Sequence, residues 1–269
     1  MNTPSHLAAA AAAAAWQRLR PEALPGIFYA YDTEQRQTER VVTYELERER
    51  CAALLARHRE FRSGENEKAP RLTVHLGYQP LYDDPDKVPD YPAFTLFAQL
   101  HRGVVNTHDL SGSQELTWNA NSRFTDISAT IVTSQANAIP AASAYLFVRS
   151  WQELPEGRLA DPFTAKTRVL GERVKCYTFS AAETATILDD LRHALEVEDD
   201  GGGLAVHLGD GIAIWSHPFS FRPVVEVKGG LKDRDDASGS RRTTGASNDD
   251  GDSFFDYAEP NPPPPIGGN

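Results

Sequence analysis

Arg173-Val-Lys-Cys-Tyr-Thr-Phe179, a helix-patterned run over 180–196, and Leu204-Ala-Val-His-Leu-Gly209 read in order as strand, helix, strand. The plan occurs once before. Val41-Val-Thr-Tyr-Glu-Leu46 leads into a helical run over 47–61, then into Leu72-Thr-Val-His-Leu-Gly77. The two Leu-x-Val-His-Leu-Gly strands agree at five of six positions and lie 132 residues apart, while Tyr44 and Tyr177 lie 133 apart. Two landmarks held within one residue of a common spacing predict an internal repeat, 41–77 and 174–209.

Local patterns support the elements. Cys51, Leu54, Leu55, His58 and Phe61 fall at three- and four-residue spacings, one apolar stripe of a helix, while Arg57 and Arg59 fall off it and read as solvated. Ser180-Ala-Ala-Glu183 is a capping box, and Ile187, Leu188, Leu191 and Leu195 form the stripe behind it. In the first Leu-x-Val-His-Leu-Gly strand Leu72, Val74 and Leu76 share a face, and Thr73 and His75 take the other. His75 and His207 therefore hold equivalent places, with a repeated packing or hydrogen-bonding role expected of them. Ala8 to Ala15 is unbroken alanine, the best helix former, with no Lys or Arg before it, so a helix is expected there rather than a secretory leader. Gly26 to Leu46 looks like a hairpin, and 103–151 like a β meander that ends in a strand over 144–151.

The predicted fold is α+β: a mostly antiparallel sheet with two related strand–helix–strand units, an N-terminal helix and a disordered C-terminal tail. The boundaries are 1–22 for the Ala-rich helix, 23–230 for the body and 231–269 for the tail. The two units read as halves of one domain, because the chain between them is itself rich in β-formers. From 231 to 253 apolar residues nearly vanish, too few to offset the entropy of ordering the segment.

Composition narrows the function. Net charge is −11, which argues against a nonspecific duplex-DNA binder, since such a protein must neutralise many phosphates. The balance leaves room for a local basic groove. Two cysteines, Cys51 and Cys176, allow neither a disulfide framework nor a zinc ribbon. Both read as buried thiols in a reducing compartment, so a cytoplasmic protein is expected. No apolar run is long enough for a membrane helix.

No nucleophile elbow, phosphate-binding loop, His-Glu-x-x-His or dinucleotide fingerprint occurs. The acids of Asp83-Asp-Pro-Asp86, with Asp90, lack EF-hand spacing and read as a solvated turn. No catalytic residue, metal or cofactor is assigned, and an enzyme is disfavoured. The most suggestive surface is Tyr145-x-Phe147-x-Arg149-x-Trp151. In a strand these four side chains share one face, where aromatic rings would stack bases and arginine would meet phosphate. Trp118, Arg123 and Phe124 would extend it. The competing reading makes Tyr145 and Phe147 core.

The tail adds a resemblance. A β-rich body, a Gly/Ser-rich linker and then Asp249-Asp-Gly-Asp-Ser-Phe-Phe-Asp-Tyr257 resembles the layout of bacterial and phage single-stranded-DNA-binding proteins. That resemblance covers about the last 40 residues. The family's tail usually ends on an acidic run, a proline and a phenylalanine, whereas here Phe254 and Phe255 are internal. It implies a body that holds the strand and a tail that recruits a protein partner, with Phe254, Phe255 and Tyr257 as anchors. Non-enzymatic binding of single-stranded nucleic acid is thus the expected function. The alternative is a structural or assembly protein, such as a phage or secretion-machine component, whose tail docks a partner. A homo-oligomer is compatible with either.

Overall fold

The computed structural model describes residues 6–31, 37–63, 68–79, 92–119, 139, 141–165, 173–197, 202–211, 219–229, 253–255 and 259–261. Helix α1 (His6–Arg18) and the short α2 (Leu24–Ile27) precede a hairpin of β1 (Tyr29–Tyr31) and β2 (Gln37–Arg40). The first strand–helix–strand unit follows as β3 (Thr43–Leu46), α3 (Arg48–Ser63) and β4 (Arg71–Tyr78). β5 (Phe94–His101) and β6 (Gln114–Trp118) complete the first half. The second half runs α4 (Ala141–Glu153), β7 (Cys176–Thr178), α5 (Ala181–Val197), β8 (Gly203–Asp210) and β9 (Phe221–Lys228). It ends on two short strands, β10 (Ser253–Phe255) and β11 (Glu259–Asn261). The capping box forms as expected, with the Glu183 amide donating to Ser180 Oγ at 3.2 Å and the Ser180 amide to Glu183 Oε2 at 2.9 Å.

The main sheet is antiparallel, with the strand order β10-β9-β8-β3-β6-β5-β4-β7-β11. Its two outermost strands belong to one segment, 253–261. Four Cα steps separate Phe255 from Glu259, a reach of at most about 14 Å, so the sheet curls until its edges meet on that segment.

The repeat is real and cross-threaded. β3 of the first half pairs with β8 of the second, and β7 of the second pairs with β4 of the first. The registers correspond: Tyr44 lies opposite Val206 and Tyr177 opposite Val74, while Thr43 lies opposite His207 and Cys176 opposite His75. The equivalence also runs beyond 41–77 and 174–209. Trp16 of α1 donates its indole N–H to Val174 O at 2.7 Å, and Trp151 of α4 donates to Val41 O at 2.8 Å. Arg173 donates to Trp16 O at 2.7 Å, and Arg40 to Trp151 O at 2.9 Å and Leu154 O at 2.6 Å, so each half's arginine satisfies carbonyls at the end of the other half's first helix. Phe28 and Phe163 stack at 5.1 Å, in a cluster with Trp16, Trp151, Phe94 and Phe221. Two halves that exchange strands and share one aromatic core form one domain.

The sheet's two faces carry different helices. The aliphatic face, with Leu72, Val74, Leu204 and Val206, shares the main core with Leu54 and Leu55 of α3 and Ile187, Leu188 and Leu191 of α5. The other face is covered by α1, whose alanines meet Phe97 and Leu110, and by α4, whose Ala144 and Val148 meet Val224 and Phe254. This explains the glycine that ends both repeated strands. A Cβ on Gly77 would come 2.8 Å from Phe97 and Thr95 and 3.3 Å from Ala12, and one on Gly209 would meet Arg222 O at 2.8 Å and Phe147 Cβ at 3.0 Å. The neighbouring strand and the covering helix together leave no room for a side chain.

Two expectations change. The segment over 144–151 is helix, within α4, and not strand. Its β-forming residues yield to burial: Ala144, Val148 and Trp151 recur at helical spacing and all three are buried. Within the expected disordered tail of 231–269, Ser253–Phe255 and Glu259–Asn261 are strands. They pair with β9 and β7 and so occupy sheet edges that would otherwise present bare backbone. The rest of the tail, and the acidic loop from Asp83 to Asp90, lie outside the described residues.

Candidate functional site

The expected nucleic-acid surface does not form as one face. On a helix, residues two apart point in nearly opposite directions. Phe147 and Trp151 therefore turn toward the sheet, and Trp151 is fully buried. Tyr145 and Arg149 turn away together, with Arg149 paired to Glu153 at 2.7 Å. Trp118 is half-buried against the main core and pairs with Tyr44. Arg123 and Phe124 lie outside the described residues. Phe254 and Phe255 are buried, Phe255 in the main core and Phe254 under α4. Neither ring is an exposed hook: Phe255 packs inward from the closing strand, and Phe254 packs on its other face under α4. Tyr257 lies outside the described residues.

A different surface gathers charge. Helices α3 and α5 lie side by side in opposite directions: Arg48 at the start of α3 donates to Leu195 O near the end of α5, at 2.6 Å. At the other end of the pair is a cleft of about 590 Å³. Its floor includes Leu55, Leu188 and Thr184, all buried. Thr184 Oγ accepts the Leu72 amide at 2.9 Å, which ties α5 to the start of β4. The walls carry Arg59 and Arg62 from α3, Lys68 from the approach to β4, and Arg102 just beyond β5. Among the described residues no carboxylate pairs with any of these four. Arg192 also lines the cleft but is held by Asp189 at 2.6 Å and Glu196 at 3.3 Å. Burial and then Arg62 hold His58 below its ordinary pKa, so it adds little charge at neutral pH.

Phe61 organises two of the guanidinium groups. The Arg57 carbon lies 4.7 Å from the ring centroid and the Arg102 carbon 5.0 Å, both within cation–π reach. The ring restrains Arg102, whose Nε is buried without a hydrogen-bond partner. The first turn of α5, with Ala181 and Thr184, also faces the cleft, and its amides are capped by Ser180 and Glu183.

The repeat offers an internal control. Leu55 and Arg59 correspond to Leu188 and Arg192, and from there the halves diverge. His58, Phe61 and Arg62 correspond to Leu191, Ala194 and Leu195, and Arg102 to Gly229. Leu191 and Ala194 are fully buried, so the fold itself is satisfied by apolar residues at these places. The cationic set is confined to one end of the helix pair.

The polar groups of the other face are structural. His207 Nε2 meets Glu226 at 2.9 Å and its Nδ1 meets Thr43 Oγ at 2.9 Å. His75 Nε2 meets the equivalent Gln99 at 2.9 Å, while its Nδ1 has no partner. Burial pushes the thiols up, Cys51 to about 11 and Cys176 to about 12, so neither is a ready nucleophile. Among the described residues no group of three His, Cys, Asp or Glu side chains gathers as metal ligands, and no helix is long and apolar enough to cross a membrane. Comparison with family models, curated proteins and solved structures finds no match.

Sequence reading missed this cleft because Arg57 and Arg59 look like an ordinary solvated face. The available signal was the density of cations over 57–62, unusual in a chain of net charge −11.

Proposed function

We propose that this is a non-enzymatic binding protein whose ligand is single-stranded nucleic acid, held by its phosphates in the cleft between α3 and α5. The observation that carries it is the set Arg59, Arg62, Lys68 and Arg102, four cations without carboxylate partners among the described residues. Guanidinium groups suit phosphate because their forked N–H donors match its oxygens in pairs. The apolar floor leaves room for sugar and base. A duplex is a poorer fit to a cleft of this size on an acidic protein. The assembly alternative has less support: the exposed large hydrophobic side chains among the described residues are scattered, Val104 in the loop after β5, Leu146 on α4 and Val197 on α5. In this proposal Phe254 and Phe255 close the sheet, and recruitment of a partner does not rest on them.

Fluorescence anisotropy with a labelled oligothymidylate, measured across a salt series, tests it. Wild type should bind at low salt, with log affinity falling by about 0.7 per phosphate contact for each decade of salt. Replacing Arg59, Arg62 and Lys68 together by alanine should lower that slope by about 2 and leave the melting temperature nearly unchanged, since all three are exposed. No binding by wild type, or an unaltered slope in the triple variant, would sink the proposal.

A further inference from the structure

We infer that the cleft takes the terminal phosphate monoester of a strand rather than an internal phosphodiester; this rests on the nucleic-acid reading above and narrows it. Charge is the first reason. An internal diester brings one negative charge, whereas a terminal monoester brings about −1.5 to −2 with three strong acceptor oxygens. Arg59, Arg62, Lys68 and Arg102 converge on one cleft without carboxylate partners among the described residues, more positive charge than a single diester would offset.

Shape is the second reason. At about 590 Å³ the cleft is of small-ligand size, and it is backed by the buried side chains of Leu55, Leu188 and Thr184. A volume of that order suits the end of a strand better than a length of it. The cations also come from three directions: α3, the lead into β4 and the end of β5. Such a cage fits three oxygens on one phosphorus better than the two unesterified oxygens of a diester. Arg102 is the pivotal donor, because Phe61 holds it and its buried Nε lacks a partner.

The asymmetry of the repeat agrees. The residue equivalent to Arg102 is Gly229, and the one equivalent to Ala181 is Arg48, whose side chain reaches the Leu195 carbonyl. The other end of the helix pair is thus filled by the protein's own guanidinium where this end is open.

The test uses the full chain and one oligothymidylate in four forms: 5′-phosphorylated, 3′-phosphorylated, unphosphorylated and circular. One phosphorylated form should bind at least about tenfold tighter than the unphosphorylated and circular forms, because its end brings a second charge and a third free oxygen. The two phosphorylated arms identify which end is taken. The advantage should grow between pH 5 and 7 as the monoester loses its second proton, near pH 6. It should vanish in Arg102→Gln, and in Lys68→Gln, whose exposed position keeps the fold out of question. Equal binding of all four forms overturns the inference and leaves the strand-binding reading standing. No binding of any form overturns both.

Discussion

The two halves share a backbone plan and differ in what they do with it. Tyr44 and Tyr177, Trp16 and Trp151, and Phe28 and Phe163 hold matching places in the common core. The first half closes its sheet with a continuous strand, β6, whose first residues pair with β5 and whose last pair with β3. The second half does the same with β10 and β11, which pair with β9 and β7. Of the cleft cations Arg62 and Arg102 have no cationic counterpart, and the histidine partners differ. Where two copies of one scaffold agree, packing explains the residue. Where they disagree, the residue answers to something else, and the α3–α5 cleft is where the disagreement concentrates charge.

The largest effect should come from the closing strands. Phe255→Ala removes a fully buried ring from the second half's closing strand and should cost roughly 3–5 kcal/mol, and Leu116→Ala in the equivalent strand roughly 2–5 kcal/mol. Urea denaturation of both variants checks the comparison. A Phe255→Ala variant as stable as wild type would mean that the C-terminal segment is no part of the sheet.

The histidines predict a pH effect of intermediate size. Burial, opposed by the Gln99 hydrogen bond, pushes His75 down to about 4. Above its unfolded pKa, about 6.5, His75 is neutral in both states and contributes no pH dependence. As pH falls from there toward 4, the unfolded chain takes up a proton that the folded protein refuses. Stability from this site should therefore drop by roughly 3 kcal/mol across that window. His75→Gln should flatten the stability profile between pH 6.5 and 4, whatever its effect at neutral pH. An unchanged slope would show that His75 is not the group responsible.

The smallest effects come from exchanging histidine partners between the halves. Thr43→Val removes the hydroxyl at His207 Nδ1 and should cost about 1–3 kcal/mol. Cys176→Ser places a hydroxyl at the equivalent position beside His75, whose Nδ1 lacks a partner, and should stabilise by up to about 1 kcal/mol. Thermal melts read both. If the serine variant is less stable than wild type, the two histidine sites are not interchangeable.

Much of the architecture was legible because its signals are local. The capping box of α5, the alternation in β4 and the stripe of α3 depend on residues a few positions apart. The repeat showed only between Val41 and Gly209, where the spacing stays near 132–133. Elsewhere unequal connections shift it: Trp16 and Trp151 are 135 apart, and Phe94 and Phe221 are 127 apart. In α4, Tyr145, Phe147 and Val148 favour strand by intrinsic preference, and their helical state follows from docking on β8 beside Gly209. The closing segment was hidden because its pairing partners lie far away in sequence and its acids read as solvated.

By itself the sequence determined the α+β class, the two strand–helix–strand units, the equivalence of His75 and His207 and the burial of both thiols. Each follows from periodicity or from the match between two short strands. Only the tertiary structure decided that the halves exchange strands, that Ser253–Phe255 and Glu259–Asn261 close the sheet, and that Arg59, Arg62, Lys68 and Arg102 meet in one cleft. Those depend on pairings between residues tens to about 160 positions apart. Such contacts form because curling the sheet buries the aromatic core from both halves at once, and no local pattern encodes that requirement.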